Sequence, residues 1–196
     1  MTKVKTLAAA ALLSAALPAF AASNFGSIEY NYVDGENAAQ GITAHGAAVT
    51  LGRFVAPQTS VDITTRFYRV KDVAESVNEL EVGATHRYSL SSLVNGLGLY
   101  ARGAVGQTFA PGEDFAYYSI EPGVSLQVTE KFLVNAGYRY RDTFKSEYDD
   151  TAFNTIRLGV EYALNNASSV RAGYDRITGE NGVRADAVNV SYNFRF

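Results

Sequence analysis

The chain ends on a stretch in which apolar and polar residues alternate without interruption, Val188-Asn189-Val190-Ser191-Tyr192-Asn193-Phe194-Arg195-Phe196. This period of two indicates a β-strand with one apolar and one polar face, because successive side chains point to opposite sides of a strand. No polar residues follow in the sequence that could cover the apolar face, so we expect that face to contact lipid. Its members are Val188, Val190, Tyr192, Phe194 and Phe196.

The first residues have the features of a secretory signal. Lys3 and Lys5 precede an apolar run at 7–17, and the small residues at 19–21 suit a signal peptidase. We expect cleavage after residue 21. This interpretation divides the chain into a signal peptide at 1–21 and a single domain at 22–196.

The amino-acid composition excludes further classes of protein. Loss of the two signal lysines leaves 15 basic against 20 acidic side chains, and this acidic balance argues against a nucleic-acid partner. Beyond residue 21 no run approaches the roughly 18 to 20 apolar residues of a membrane helix. The chain has no Cys and no Trp but 13 Tyr and 11 Phe, and such amphipathic rings suit membrane interfaces.

Ten alternating segments, separated by turn-forming residues, predict an all-β fold. Most reach the roughly 9 to 11 residues that a tilted transmembrane strand needs. We predict a transmembrane antiparallel up-and-down β-barrel with ten strands, and eight strands as the alternative; a water-soluble sandwich is the main competing fold. The segments are 25–33, 42–55, 60–70, 77–90, 96–108, 115–128, 131–144, 152–163, 169–178 and 183–196.

Aromatic residues favour the membrane barrel over the sandwich, because they concentrate near segment ends, where two interfacial girdles would lie. An even number of strands would also close the barrel without leaving an unpaired edge in hydrocarbon. The expected girdle residues are Tyr30, Tyr32, Phe54, Phe67, Tyr88, Phe115, Tyr117, Phe132, Phe144, Tyr162, Phe194 and Phe196.

The polar faces of the segments place many charged residues in the predicted lumen. One interpretation is structural, since buried carboxylates and guanidinium groups persist when they are paired and hydrogen-bonded. The other is a narrow channel whose arginines favour anions. The predicted lumen residues are Glu29, Asp62, Arg66, Glu79, Glu81, Arg87, Arg102, Glu121, Arg139, Arg141, Arg157, Glu161, Arg171, Asp175 and Arg195.

Catalysis would need a base close to a nucleophile or a matched acid pair. The two histidines, His45 and His86, fall on apolar faces and are expected to point toward lipid or headgroups. Thr43 near His45 is the one pair that a hydrolase or acyltransferase interpretation could use. We therefore predict no enzyme activity, no cofactor and no catalytic or metal-binding residue.

An exported N-terminus would place five acidic loops outside the cell, near 34–41, 71–76, 109–114, 145–151 and 179–182. Glu147, Asp149 and Asp150 could bridge divalent cations to lipopolysaccharide phosphates, although solvated carboxylates are the simpler interpretation. The acids in these loops are Asp34, Glu36, Asp72, Glu75, Glu113, Asp114, Glu147, Asp149, Asp150 and Glu180.

The signal peptide, the hairpin series and the ending Tyr192-x-Phe194-x-Phe196 together resemble the small bacterial outer-membrane barrels of the OmpA, OmpX and opacity type. The resemblance implies outer-membrane localisation, with outer-membrane lipid and lipopolysaccharide as surroundings. It also implies recognition by the barrel-assembly machinery, with Tyr192, Phe194 and Phe196 as the signal. Those relatives usually have eight strands, whereas the short connections here favour ten.

A second, local similarity is to the oligogalacturonate-specific porins. It covers the segment at 119–126 (SIEPGVSL) and Tyr138-Arg139-Tyr140-Arg141. The resemblance implies a pore lined by arginines. Because this chain is short, we expect that pore to be narrower than in those porins. Our first hypothesis is a non-catalytic envelope barrel that acts through its acidic loops; the alternative is a narrow passive channel for small solutes, with anions favoured by its arginines.

Overall fold

A computed structural model describes residues 24–196 except 38–39, 72–75, 111–112, 145–151 and 181. Ten antiparallel strands form one closed barrel, so the ten-strand prediction is confirmed and the eight-strand alternative is wrong. No helix long and apolar enough to cross a membrane occurs in the described part of the chain. The strands are β1 (Asn24–Asn37), β2 (Gln40–Ala56), β3 (Thr59–Val70), β4 (Ser76–Ser89), β5 (Leu97–Ala110), β6 (Glu113–Gln127), β7 (Phe132–Thr143), β8 (Phe153–Asn165), β9 (Ser168–Gly179) and β10 (Arg184–Arg195).

The barrel closes through its first and last strands. β1 pairs with β10 in an unbroken register from Phe25 opposite Arg195 to Glu36 opposite Arg184. At the seam, Asn24 and Phe196 exchange backbone hydrogen bonds of 3.0 Å in both directions. Closure removes the unpaired strand edges that hydrocarbon would not tolerate.

Burial along the strands is reversed relative to a water-soluble protein. The apolar residues Ile28 and Val190 are 57% and 50% exposed, whereas the polar residues Asn189 and Glu81 are 2% and 0% exposed. A soluble sandwich would bury the apolar face instead. The sandwich alternative is therefore wrong, and the exposed apolar band suits lipid.

The C-terminal strand presents the expected face outward. Tyr192, Phe194 and Phe196 stack in sequence, with ring centroids 6.1 Å and 5.8 Å apart. The ring of Phe194 lies over Gly26 of β1, where a Cβ atom would come within 2.6 Å of it. The missing side chain at Gly26 thus lets an aromatic ring cover the seam.

Three girdle assignments are wrong, because Phe54, Phe115 and Tyr117 lie on inward faces. Phe115 is the cross-strand partner of Thr108, which is buried in the lumen. Tyr117 is completely buried and Phe54 contacts Phe25 inside the lumen, with ring centroids 5.4 Å apart. Tyr117 shares the inward face of β6 with Ser119 and Glu121, so its orientation follows from the strand period and not from its place near a strand end. Outward aromatics at the two ends do include Tyr30, Phe67, Tyr88, Phe132 and Tyr162.

The strands also extend further than expected at one end. Asp34, Glu36, Glu113 and Asp114 lie on β1 and β6, although the sequence predicted them in loops. The barrel has two ends, the terminal end and the far end. The terminal end carries Asn24, Phe196 and the turns near residues 57 and 166, and the far end carries the connections near 38, 72, 111, 147 and 181.

The signal peptide and its cleavage after residue 21 lie outside the described residues and stay predictions, as does the domain boundary at 22. The proposed cation-binding acids Glu147, Asp149 and Asp150 also lie outside the described residues.

Candidate functional site: the charged lumen

A single carboxylate, that of Glu81 on β4, is the centre of the lumen. Arg66 from β3 and Arg102 from β5 donate to its Oε1 at 3.2 Å and 2.9 Å. Arg139 reaches from β7 to donate to Oε2, and the hydroxyl of Tyr117 donates to the same oxygen at 3.1 Å. Three positive charges therefore converge on one completely buried negative charge.

Glu79, two residues along β4, forms a second centre toward the far end. Arg141 of β7 donates to Glu79 Oε1 at 2.6 Å and to the hydroxyl of Thr108 at 2.8 Å. The guanidinium of Arg141 also lies 3.7 Å from the centroid of the Tyr117 ring, within cation–π distance. Because β7 and β4 are not neighbours, Arg139 and Arg141 span the lumen.

A third centre joins β6, β8 and β9. Arg157 donates to Glu121 at 2.9 Å and to Asp175 at 3.3 Å, and Tyr100 donates to Glu121 at 3.1 Å. On the β3 side, Asp62 accepts from Arg102 at 2.6 Å. We call these ten ion-paired residues the ion-pair layer: Asp62, Arg66, Glu79, Glu81, Arg102, Glu121, Arg139, Arg141, Arg157 and Asp175.

Five carboxylates and five arginines make the layer neutral. Neutrality matters because a buried charge is tolerated in a protein interior only when it is matched and hydrogen-bonded. Two atoms in the layer, Arg66 Nη1 and Arg139 Nε, still lack a hydrogen-bond partner among the described residues. Arg66 Nη1 lies 3.6 Å from Glu79 Oε2, close enough for ion pairing.

Inward glycines make room for the large side chains of the layer. The ring of Tyr117 occupies the space that a Cβ atom would need at Gly106, and Tyr100 covers Gly123 in the same way. The guanidinium of Arg102 lies over Gly83. Large and small residues thus alternate between adjacent strands, which is how small barrels fill their interiors.

The middle of the lumen is closely packed. A through-going aqueous pore would leave inward side chains accessible at every level, but here inward residues of seven strands are only 0 to 8% exposed. The other three strands contribute Arg139, Arg157 and Asp175 to the ion-pair layer. The closely packed residues are Asn31, Ala48, Thr64, Glu81, Ala104, Ser119 and Asn189.

A cavity of about 1470 Å³ lies between the ion-pair layer and the terminal end. It reaches the turns at Pro57 and Ala167, and one wall comes from β10, β1 and β2, with small polar residues such as Ser27 and Ser191 beside the rings of Phe25 and Phe54. Six arginines and four carboxylates line it, so its wall carries a net charge of +2. The charged lining residues are Glu29, Asp62, Arg66, Arg87, Arg102, Glu121, Arg157, Glu161, Arg171 and Arg195.

The structure places all fifteen predicted lumen residues on the inward face but divides them into two groups. Ten form the ion-pair layer, and the other five line the cavity without an ion pair to any described residue. Glu161 accepts from Ser169 at 2.5 Å, Arg171 donates to Asn135 at 3.0 Å and Arg87 donates to Ser60 at 3.3 Å. The five cavity residues are Glu29, Arg87, Glu161, Arg171 and Arg195.

Sequence reasoning missed the uncharged partners of these groups. Tyr100 and Tyr117 donate to Glu121 and Glu81, and Thr108 and Asn135 receive bonds from Arg141 and Arg171. The period of two would have placed them inward, since Tyr100 shares a face with Arg102 and Tyr117 with Glu121. Charge patterning does not mark neutral hydrogen-bonding residues, and the strand period was the signal that could have found them.

Both histidines point outward, as expected. Nδ1 of His45 bonds to the hydroxyl of Tyr30 at 2.6 Å, and Nδ1 of His86 bonds to the hydroxyl of Thr59 at 2.9 Å. Neither ring contacts a carboxylate within the described residues. In that same part of the chain, no group of three or more acidic or histidine side chains could hold a metal ion. The absence of catalysis stays a prediction.

Comparison with solved structures supports the fold. An outer-membrane channel from Pseudomonas putida F1 aligns with a TM-score of 0.57 at 11% identity, covering 92% of this chain and 97% of that one. The translocator domain of the autotransporter NalP from Neisseria meningitidis gives 0.53 at 12%, covering 98% of both chains. The β domain of the Bordetella autotransporter BrkA gives 0.51 at 12%, covering 89% and 99%.

These similarities establish the fold class of bacterial outer-membrane β-barrels, so the resemblance predicted from the sequence is confirmed at that level. No protein-family model matches the sequence, and no curated protein is significantly similar to it. Because the sequence identities are so low, these solved structures support the fold alone. Any role has to be argued from the arrangement of the lumen residues.

Proposed function

We propose that the protein is a closed, non-catalytic barrel of the outer membrane that serves the envelope as a stable scaffold and displays the connections at its far end. The observation that carries this proposal is the ion-pair layer. Arg139 and Arg141 span the lumen from β7 to β4, and the inward side chains around them are nearly inaccessible to water. A lumen filled in this way conducts no solute.

The proposal includes an orientation. Outer-membrane barrels have short turns on the periplasmic side and longer loops outside. The turns near Pro57 and Ala167 are short and lie at the terminal end, which we assign to the periplasm. The acidic residues Asp34, Glu36 and Asp114 would then ring the outer surface of the cell.

A narrow channel is the second candidate, and the cavity favours it. Its volume of about 1470 Å³ and its excess of arginines would suit a small anion entering from the terminal end. Conduction would additionally require the ion-pair layer to rearrange. The two functions therefore differ in whether the ion-pair layer stays in place or rearranges.

Ion conductance across a planar bilayer separates the two functions. We expect no conductance steps from the native protein, and steps from the double variant Arg102→Ala/Arg139→Ala, which removes two guanidinium groups from the layer. Arg87→Ala, which changes only the cavity, is the matched control and should remain silent. Steps from the native protein that shrink on replacing Arg139 would instead establish the channel.

A further inference from the structure

The outward surface at the far end carries a basic patch that the lumen does not explain. We define the flank patch as His45 on β2, Arg69 on β3 and Lys71 just beyond β3. His45 and Arg69 are direct cross-strand partners, and the backbone N–H of Lys71 donates to the carbonyl of Thr43 at 2.7 Å. All three side chains are exposed on the same outer face.

The height of the patch on the barrel matches that of lipid headgroups. Along β3 the outward residues are apolar or uncharged up to Phe67, and the next two outward positions are Arg69 and Lys71. Tyr30 and Tyr32 on β1 contact His45, by a 2.6 Å hydrogen bond and at a ring separation of 5.2 Å. Aromatic side chains of this kind mark the interface between hydrocarbon and headgroups. The cations therefore lie immediately beyond that boundary.

The flank patch differs from Arg176, an outward arginine on the same rim, because Arg176 has an ion-pair partner. Arg176 on β9 lies 3.8 Å from Asp186, which also accepts from Tyr174 at 2.5 Å. Arg69 and Lys71 have no carboxylate within ion-pair distance among the described residues. Asp34 and Glu36 lie on the outward face of the neighbouring strand β1, and Asp34 accepts a hydrogen bond from Thr43 at 3.2 Å. Within the described part of the chain, these two cations therefore remain available to an external anion.

We propose that the flank patch binds a phosphate of a lipid A-type glycolipid in the leaflet that surrounds the far end. Arg69 donates bidentate hydrogen bonds to the phosphate, Lys71 adds a second positive charge, and His45, with Nδ1 bonded to Tyr30, has Nε2 free for a further contact. The choice of a glycolipid rests on the proposed orientation, whereas phosphate binding at the patch rests on the geometry alone.

The test measures lipid binding to the full mature barrel by native mass spectrometry, with lipid A carrying both phosphates as the probe. We expect Arg69→Ala/Lys71→Ala to weaken binding about tenfold or more, because the double variant loses both positive charges that face the phosphate. Arg176→Ala is the matched control and should keep its affinity. Heat-dependent gel mobility verifies that each variant is folded.

Two additional probes identify the source of the phosphate. Lipid A stripped of its phosphates should bind the native protein no better than the double variant binds intact lipid A. Phosphatidylglycerol should bind more weakly than lipid A; equal binding would overturn the glycolipid assignment. Unchanged affinity in the double variant, or an equal loss in Arg176→Ala, would overturn the site itself. None of these results depends on conductance, so the closed-barrel function is tested separately.

Discussion

The two levels of the lumen contain the same kinds of residue and differ in how those residues are paired. In the ion-pair layer each carboxylate contacts at least one arginine, and Glu81 contacts three. In the cavity Glu29, Glu161 and Arg195 face open space without an ion pair to a described residue. Charge composition alone therefore does not decide whether a barrel is filled; the reach of the side chains across the lumen does.

The largest difference between the levels should appear when a carboxylate is removed. Glu81→Ala leaves three arginines converging on an empty position, and breaking such a buried pair costs about 3 to 5 kcal/mol. Glu29→Ala removes a cavity carboxylate that has no ion pair within the described residues, and it should change the free energy of unfolding little. Urea unfolding in lipid vesicles, followed by gel mobility, measures both. Equal midpoints for the two variants would contradict the account.

A smaller difference should follow from two glycines on the same strand. A methyl group at Gly106 would collide with the buried ring of Tyr117, whereas Gly103 on the lipid face has no atom within 4 Å of the added Cβ. We expect Gly106→Ala to cost about 1 to 3 kcal/mol of unfolding free energy, the usual range for overpacking. Gly103→Ala should stay within about 0.5 kcal/mol. The same unfolding experiment applies, and a tolerated Gly106→Ala would show that the layer is loosely packed.

The smallest expected effect concerns single hydroxyl groups. Tyr117→Phe keeps the ring under Arg141 but loses the 3.1 Å bond to Glu81, for a cost of about 1 kcal/mol. Tyr100→Phe loses an equally long bond to Glu121, but Tyr100 lines the cavity, where water can replace the hydroxyl. Tyr117→Phe should therefore lower the unfolding midpoint more than Tyr100→Phe does. The reverse order would mean that the layer admits water.

The period of two was enough to derive the fold and the facing of the strands. It assigned Glu81, Arg139 and Arg157 to the lumen because side-chain direction is fixed by position along a strand. It could not show that Arg139 bonds to Glu81, since 58 residues and three strand boundaries separate them and barrel closure alone brings them together. Tyr117 was misplaced because proximity to a strand end was given more weight than the period.

Hydrophobic alternation could not locate the ends of the strands either. Asp34 and Glu36 continue β1 past the apolar band because backbone pairing with Thr43 and Gly41 persists after the side chains have become polar. Hydrophobic alternation reports only where lipid begins and ends. Hydrogen bonding between strands can extend further into water, so the sequence predicted loops that were too long at this end.

Accessibility of single cysteines on the two sides of the ion-pair layer tests most directly whether the lumen is closed. The chain has no native cysteine, so one introduced thiol is the only reactive group. Asn193 lines the cavity, and Ala104 lies among the buried inward residues of β5. We predict that Asn193→Cys reacts rapidly with a charged thiol reagent and that Ala104→Cys stays unlabelled from either side of the membrane. Equal labelling of the two variants would contradict a closed lumen.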